Sequence, residues 1–287
     1  MREIFPEAEV QFTRGVGDGI RIAREAVARG QELVVAVGGD GTLQEVMNGL
    51  MESASQDDEM ESQQGILGVL PTGSASDFAR GLGIPDDPEA ALILLAQAKP
   101  RRIDLGWVEA VDEEGGPVGR YFLNAADFGI GAEVVARVAG CPKYLPGRPT
   151  YLWQTVRTLI TYRNPTVELT VDGAKSYQRV FKSIVVANAP YFGGGMCIAP
   201  DAVPDDGSLD LVELGDLGRL EAIRRLGETF QGARIQHRDI HYSRCKKLQA
   251  SSASCVMIEA DGELLGQLPA TFQVVPNALS MLLPDHA

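Results

Sequence analysis

The sequence predicts an N-terminal α/β domain followed by an antiparallel β-sandwich domain. Two strand-turn-helix units lie close together near the start of the chain, an order that is typical of a parallel sheet. Beyond about residue 105 the pattern changes to short alternating strands such as TVELTV. We therefore expect one domain over residues 1–105 and a second over 106–275, with 276–287 able to complete the first.

The first strand-turn-helix unit contains a glycine-rich turn. Residues 33–37 (LVVAV) form a β-branched run without polar alternation, which predicts a strand buried on both faces. GGDGT follows at 38–42, and the next residues have apolar side chains three and four apart, as in an amphipathic helix. Thr42 and Glu45 have the spacing of a capping box at the start of that helix.

The second unit repeats this order. ILGVL at 66–70 predicts a buried strand, PTGSASDFAR at 71–80 predicts a turn that opens a helix, and a further helix is expected over roughly 88–98. Adjacent parallel strands direct their loops to the same edge of a sheet, where ligands bind in open α/β sheets. Both turns are therefore expected to meet in one crevice.

The composition of these turns suits a phosphate. Glycines let the backbone approach a ligand, and a helix start offers free N–H groups. The carboxylate of Asp40 would repel a phosphate unless it held a cation, which indicates Mg²⁺. Two simpler interpretations remain open: Asp40 as a solvated turn residue, and Ser74-x-x-Asp77 as a helix cap with nothing bound.

Two acidic turns in the second half are further candidates. A carboxylate at Glu263, in the Asp-Gly-Glu turn 261–263, could accept the proton of an attacking hydroxyl group. Taken alone, that tripeptide between two strands is more often a simple hairpin turn. For residues 205–207 (DDG) a turn between strands is the favoured interpretation, and a calcium or magnesium site is the alternative.

Together these motifs resemble the catalytic domain of diacylglycerol, sphingosine and related bacterial lipid kinases. Besides GGDGT and PTGSASDFAR, the matching stretches are IDLG at 103–106, NAADFGIGAEV at 124–134, the segment 187–214 and DGE at 261–263. The resemblance implies a Rossmann-like, phosphofructokinase-like nucleotide domain and a β-sandwich that receives the lipid. It also implies ATP and Mg²⁺.

The resemblance assigns roles to individual residues. Glu263 corresponds to the general base, and Asp40 is expected near the metal-bound phosphates as the second catalytic residue. The nucleotide site would comprise Thr13, Gly38, Gly39, Asp40, Gly41, Thr42, Glu45 and Ser74. A structural Mg²⁺ would be bound by the Asp206 carboxylate and the carbonyl groups of Val203 and Ser208, with Asp77 and Asp104 in a linked acidic network.

The chain departs from the family pattern in two places. It has no strand and Asn-Pro-x-x-Gly turn ahead of FPEAEVQFTRGVGDG, and Ser76 stands where the family commonly has Asn. Without the first unit, a phosphate-binding wall would be missing and one strand edge unpaired. We therefore expect weak ATP binding and self-association, such as a homodimer.

Net charge, apolar run length and cysteine spacing limit the kinds of partner that the protein can bind. The formal net charge of −13 argues against nucleic acid. Residues 219–247, however, carry eight Lys or Arg against three Asp or Glu, and could face an anionic membrane. No apolar run approaches the ~20 residues needed to span a bilayer, so a cytoplasmic, peripherally associated protein is expected. The four cysteines show no metal-binding or disulfide spacing.

Three functions remain open at this point. The first is an ATP-dependent lipid kinase, with diacylglycerol, a sphingoid base or another lipid alcohol as acceptor. The second is a catalytically impaired lipid-binding or regulatory relative. The third is a nicotinamide-nucleotide kinase or phosphofructokinase-like enzyme, because those share GGDGT; the late DGE in a β-rich half favours the lipid enzyme.

Overall fold

The computed structural model of the chain describes residues 5–54, 65–73, 75–140 and 147–285. It divides into two compact units, Met1–Asp104 with Asn277–Ala287, and Leu105–Pro276. The chain passes between the units within two long strands, β3 (Pro100–Val111) and β15 (Glu263–Leu282). The N-terminal α/β region and the C-terminal antiparallel β region confirm the predicted fold class.

The first unit is built on parallel strands. Its remaining elements are α1 (Asp18–Ala28), β1 (Leu33–Gly38), α2 (Asp40–Ala54), β2 (Ile66–Pro71), α3 (Asp77–Gly81) and α4 (Pro88–Gln97). β1 pairs with β2 in parallel from Leu33 opposite Ile66 to Gly38 opposite Pro71. β2 also pairs in parallel with the end of β15, where Leu67 lies opposite Met281.

β1 differs from its prediction. We expected 33–37 to be buried on both faces, but only Ala36 is fully buried and Val37 is 48% exposed. The reason is its position, because β2 is its one partner strand in the described part of the chain. The predicted association through this edge stays a prediction. β2, in contrast, is buried from Leu67 to Pro71, as expected.

The second unit is an antiparallel β structure with helices on one face. Its elements are β4 (Pro117–Phe122), β5 (Ala125–Gly129), α5 (Ile130–Ala139), α6 (Gly147–Thr161), β6 (Thr166–Val171), β7 (Tyr177–Val180), β8 (Ser183–Ala187), β9 (Tyr191–Phe192), β10 (Met196–Cys197), β11 (Leu209–Leu214), α7 (Arg219–Glu228), a 3₁₀ turn (Thr229–Gln231), β12 (Ile240–Cys245), β13 (Lys247–Ser251) and β14 (Met257–Ala260). Three of these elements, α5, α6 and α7, are helices inserted between strands.

Two cores lie on opposite faces of β5, β8 and β11. On one face, apolar side chains of these strands meet those of β6, β13 and β15, and the rings of Phe128 and Phe272 stack with centroids 5.4 Å apart. On the other face, Val185 and Val212 pack with residues of α6 and α7. Because side chains alternate along a strand, one set of strands serves both cores.

Candidate functional site

The two glycine-rich turns of the first unit lie side by side at the carboxyl ends of β1 and β2. The backbone N–H of Thr72 donates to the carbonyl of Gly38 at 2.9 Å. A Cβ atom added to Gly73 would lie 2.4 Å from the Cα of Gly39, so a larger residue at 73 would push the two loops apart. The predicted meeting of the two turns is therefore present within this unit.

Asp40 joins the two turns through its side chain. Its carboxylate accepts hydrogen bonds from the backbone N–H groups of Asp77 (2.9 Å) and Phe78 (3.1 Å), the first residues of α3. Negative charge at a helix start is favourable. The side chain thus caps α3, whose own N-cap residue, Ser76, has a left-handed backbone (φ 50°) and makes no side-chain cap. The role of Asp40 beside a metal-bound phosphate stays a prediction, and Ser74 lies outside the described residues.

The predicted capping box of α2 is wrong. The helix begins at Asp40, two residues before Thr42, and the side chain of Glu45 turns to another helix. Its two carboxylate oxygens accept from the backbone N–H groups of Gly17 and Gly19, each at 2.8 Å. Glu45 therefore caps α1 and connects it to α2, because the unpaired N–H groups of a helix start attract a carboxylate.

Open space remains around the middle of the first loop. A Cβ atom at Gly41 would meet no atom within 4 Å, so its backbone is accessible to a ligand. The Thr42 side chain lies next to Gly38, the last residue of β1. A Cβ atom added to Gly38 would come within 2.6 Å of the Thr42 hydroxyl oxygen. Thr13 is exposed in the segment before α1. Its contact with a nucleotide stays a prediction.

Asp77 and Asp104 are both almost fully buried in the first unit. The carboxylate of Asp104 accepts the backbone N–H of Asn277 at 2.7 Å, where Asn277 has a left-handed backbone (φ 51°). Asp104 therefore holds the turn in β15 at which the chain returns to the first unit. The predicted network linking it to Asp77 stays a prediction.

Glu263 lies in a rigid hairpin of the second unit. Asp261 and Gly262 both have positive φ and connect β14 to β15, with Ala260 paired opposite Glu263. The Asp261 carboxylate accepts the backbone N–H groups of Leu123 (2.7 Å) and two following residues. The hairpin is thereby fastened to the segment before β5.

The Glu263 side chain is held by an arginine. Its Oε2 accepts from Nη1 of Arg120, on β4, at 2.5 Å. Both side chains are partly exposed, at 34% for Glu263 and 26% for Arg120. A carboxylate in this setting has a fixed orientation and remains accessible to a substrate hydroxyl group. Its role as a base stays a prediction.

The Asp206 carboxylate, one of the predicted Mg²⁺ ligands, has two partners within the protein. The Asp206 carboxylate accepts the backbone N–H of Ser208 at 3.1 Å and forms an ion pair with Arg244. A guanidinium group at this position competes with a metal ion for the same oxygens. The carbonyl groups of Val203 and Ser208 as further ligands of a structural Mg²⁺ stay a prediction.

An apolar cavity in the second unit was not predicted from the sequence. It has a volume of about 110 Å³, well above the ~10–15 Å³ that one water needs. Among the twenty residues that line it are Asp127, Ile130, Leu159, Lys182, Ser183, Phe192, Met196, Leu214, Leu226 and Ile240. Its walls come from α5, α6, α7 and the helix-covered face of the sheet.

Asp127 is a titratable residue in this apolar setting. It is 1% exposed on β5, and its Oδ2 accepts from the hydroxyl of Ser183 at 3.1 Å. Burial raises the pKa of Asp127 to about 7. Glu259 lies opposite it on β14, and burial together with the charge of Asp127 raises the pKa of Glu259 well above its usual value. An aspartate inside the apolar stretch AADFG was the available sequence signal.

Comparison with known proteins agrees with both halves of the fold. Residues 124–283 match the family described as "YegS C-terminal NAD kinase beta sandwich-like domain", and residues 1–108 match "Diacylglycerol kinase catalytic domain". A diacylglycerol kinase of Bacillus subtilis is 31% identical over 281 residues, covering 98% of this chain and 87% of that protein. The chain belongs to the family of diacylglycerol and YegS-like lipid kinases.

A second relative and a solved structure are also similar to this chain. A protein of Chromohalobacter salexigens with the name "Probable lipid kinase YegS-like" is 30% identical over 285 residues, or 99% of this chain and 86% of its own length. A crystal structure of a diacylglycerol kinase from Bacillus anthracis superposes with a TM-score of 0.71 at 20% identity, covering 99% and 87% of the two chains. The structural likeness supports the fold.

Within the lipid kinase family, this chain carries its candidate residues in both matched regions. The glycine-rich loops fall in the catalytic-domain match, and Glu263 and the apolar cavity fall in the C-terminal match. Among the described residues, no helix combines the length and apolar character that crossing a membrane requires. The protein is a kinase of this family.

Proposed function

We propose that the protein transfers the γ-phosphoryl group of ATP, bound with Mg²⁺, to a hydroxyl group of a lipid. The observation that carries this proposal is the pair of glycine-rich loops held together by Asp40. Glycine backbone and the first turn of α2 offer N–H groups without side chains in the way, which suits a polyphosphate. Phosphoryl transfer depends mainly on such positioning and on charge neutralisation.

Glu263 is the proposed base. Its carboxylate takes the proton of the lipid hydroxyl group as the hydroxyl oxygen attacks the γ-phosphorus. A new P–O bond forms to the lipid, the bond to the β-phosphate oxygen breaks, and ADP leaves. The ion pair with Arg120 and the fastening of the hairpin by Asp261 hold the carboxylate in one orientation.

The apolar cavity supports a lipid as the acceptor. It is lined mainly by aliphatic side chains and lies beneath three helices of the second unit. A hydrocarbon chain that enters such a cavity is stabilised by about 25 cal/mol for each Å² removed from water. We place there the part of the acceptor's chain that adjoins its polar group, because a volume of about 110 Å³ holds only a few methylene groups.

The outer face of α7 is the proposed membrane contact. Leu220 is 85% exposed and Ile223 lies one turn further along the helix, on the same face as Arg224. Apolar side chains beside cationic ones suit an anionic bilayer surface. Arg225, also in the basic stretch 219–247, does not contribute to this face, because it pairs with Glu221 and Glu228.

Transfer of labelled γ-phosphate from ATP to a panel of lipid alcohols, with Mg²⁺, tests the proposal. We expect a labelled lipid product with at least one acceptor. If nucleotide binds and no acceptor is labelled, the catalytic proposal fails. A lipid-binding relative without activity is the alternative, and the engagement of Glu263 by Arg120 is the observation that favours it.

A further inference from the structure

The buried carboxyl group of Asp127 has one oxygen that the protein leaves unsatisfied. Oδ2 accepts from Ser183, and the carboxyl group also accepts the backbone N–H of Ala132. Oδ1 is buried and has no hydrogen-bond partner among the described residues. A buried polar atom without a partner costs about 1–3 kcal/mol, so such atoms usually meet a ligand or ordered water.

This side chain lines the apolar cavity. Both groups that already bond it, the Ser183 hydroxyl and the Ala132 N–H, are donors, and in the ionised form of the carboxyl group the free Oδ1 is likewise an acceptor. Lys182 lines the same cavity, but its ammonium group is directed to Asn164, whose side-chain oxygen accepts from it at 2.9 Å. Glu259, opposite Asp127 on β14, does not line the cavity, and its carboxyl group accepts the backbone N–H of Gly262. The ionised Asp127 carboxylate is therefore complementary to a donor brought in from outside.

We propose that Asp127 selects acceptor lipids that carry a hydroxyl or amide N–H group next to the hydrocarbon chain. This inference rests on the proposed function, since it concerns the cavity assigned to the acceptor's chain. A lipid with a second hydroxyl group or an amide beside its chain supplies the missing donor. A diacylglycerol has ester groups there, which only accept hydrogen bonds.

A matched pair of lipids tests the hydrogen bond directly. A 1-monoacylglycerol and its 2-O-methyl ether share the chain and the primary hydroxyl group, and differ only in the donor beside the chain. Binding is measured by calorimetry at about pH 9, where a carboxyl group with a pKa of about 7 is ionised, and below the micelle concentration. No nucleotide is present, so a failure of phosphoryl transfer does not affect the result. We expect the wild-type protein to bind the hydroxyl lipid about fivefold more tightly, as one net hydrogen bond gives.

Asp127→Asn sharpens the test. Ser183 and Ala132 hold the amide oxygen, which leaves the amide nitrogen, a donor, as the free group. The preference for the hydroxyl lipid should then be lost, because a hydroxyl oxygen and an ether oxygen both accept from an N–H group. Glu213→Gln is the matched control, because Glu213 is a buried acid of the same unit that accepts from Tyr177 and alternates with cavity-side residues on β11. It should keep the wild-type ratio.

Equal binding of the two lipids by the wild-type protein overturns the proposal, whatever happens to the variants. An unchanged ratio in Asp127→Asn also overturns it, since the free oxygen would then be satisfied by water. Transfer activity is recorded separately with both lipids. Loss of transfer with the binding preference intact would count against the kinase mechanism and leave the role of Asp127 standing.

Discussion

The carboxylate of Asp40, on the first glycine-rich loop, accepts the backbone N–H of Asp77 at the start of α3, 2.9 Å away. Thirty-seven positions separate the two residues in the chain. The bond, with a second one to Phe78, makes one rigid platform of two loops that the sequence presents as separate motifs. The nucleotide site proposed here depends on that platform.

Asp40→Ala should lower both stability and nucleotide affinity. The variant leaves two N–H groups of α3 without their acceptor, and we expect about 1–2 kcal/mol lower free energy of unfolding. MgATP affinity should fall at least tenfold in a direct binding assay. Asp87→Ala is the control, because Asp87 caps α4 in the same unit by accepting from Ala90. If both variants bind MgATP equally, Asp40 has no special role at the site.

Glu263→Gln should remove catalysis and spare nucleotide binding. The amide cannot accept the hydroxyl proton, so kcat should fall by about 10²–10⁴-fold, with MgATP affinity within twofold of wild type. Glu109→Gln, an exposed acid of the same unit, should behave as wild type. Retained turnover in Glu263→Gln would exclude this residue as the base.

Chelation should leave the melting temperature of the wild-type protein unchanged, because Arg244 occupies the Asp206 carboxylate. Arg244→Ala frees that carboxylate, so Mg²⁺ should raise the melting temperature of this variant by binding the folded state. Arg234→Ala, which breaks an exposed pair with Asp201, serves as control. A drop in wild-type melting temperature with chelator would restore the structural metal site that the family resemblance implies.

Asp127 should make the protein less stable as pH rises. Its pKa is about 7 in the fold against a usual 3.8, so the folded state binds more protons between those values and stability falls as pH increases through that range. The pKa of the neighbouring Glu259 is also raised. The other ionisable groups nearby are Tyr162, Glu133 and Lys182.

Asp127→Asn removes the contribution of this one carboxyl group. The variant's free energy of unfolding minus that of the wild type should increase by about 3 kcal/mol as the pH rises from 5 to 8. Thermal or denaturant melts across that range measure the difference. Parallel pH curves for the two proteins would show that Asp127 does not titrate there.

Leu220→Ser with Arg224→Glu should weaken vesicle binding. The pair removes an exposed apolar side chain and reverses one charge on the outer face of α7, so we expect at least tenfold weaker binding to anionic vesicles in low salt. Ile93→Ser with Arg29→Glu, on the first unit, is the matched control. Equal losses in both proteins would indicate a nonspecific charge effect.

Much of the secondary structure of this protein could be predicted from short stretches of its sequence. The two strand-turn-helix units, the α4 helix and the Asp-Gly-Glu hairpin were all predictable, because hydrophobic period and turn chemistry act over a few residues. The order of motifs from GGDGT to DGE was enough to indicate the lipid kinase family, which the comparisons show. The edge position of β1 was not predictable from LVVAV alone, since neighbours in a sheet decide burial.

The partners of the charged side chains were decided only by the tertiary structure. Glu45 has the spacing of a capping box and instead caps α1, 26 residues away, while Asp206 pairs with Arg244 and Arg225 with its own helix. A carboxylate binds whichever donor the fold brings nearest, and that distance is set by packing between remote segments. The cavity at Asp127 could not be predicted from the sequence for the same reason, because its walls come from helices and strands that meet only when the chain has folded.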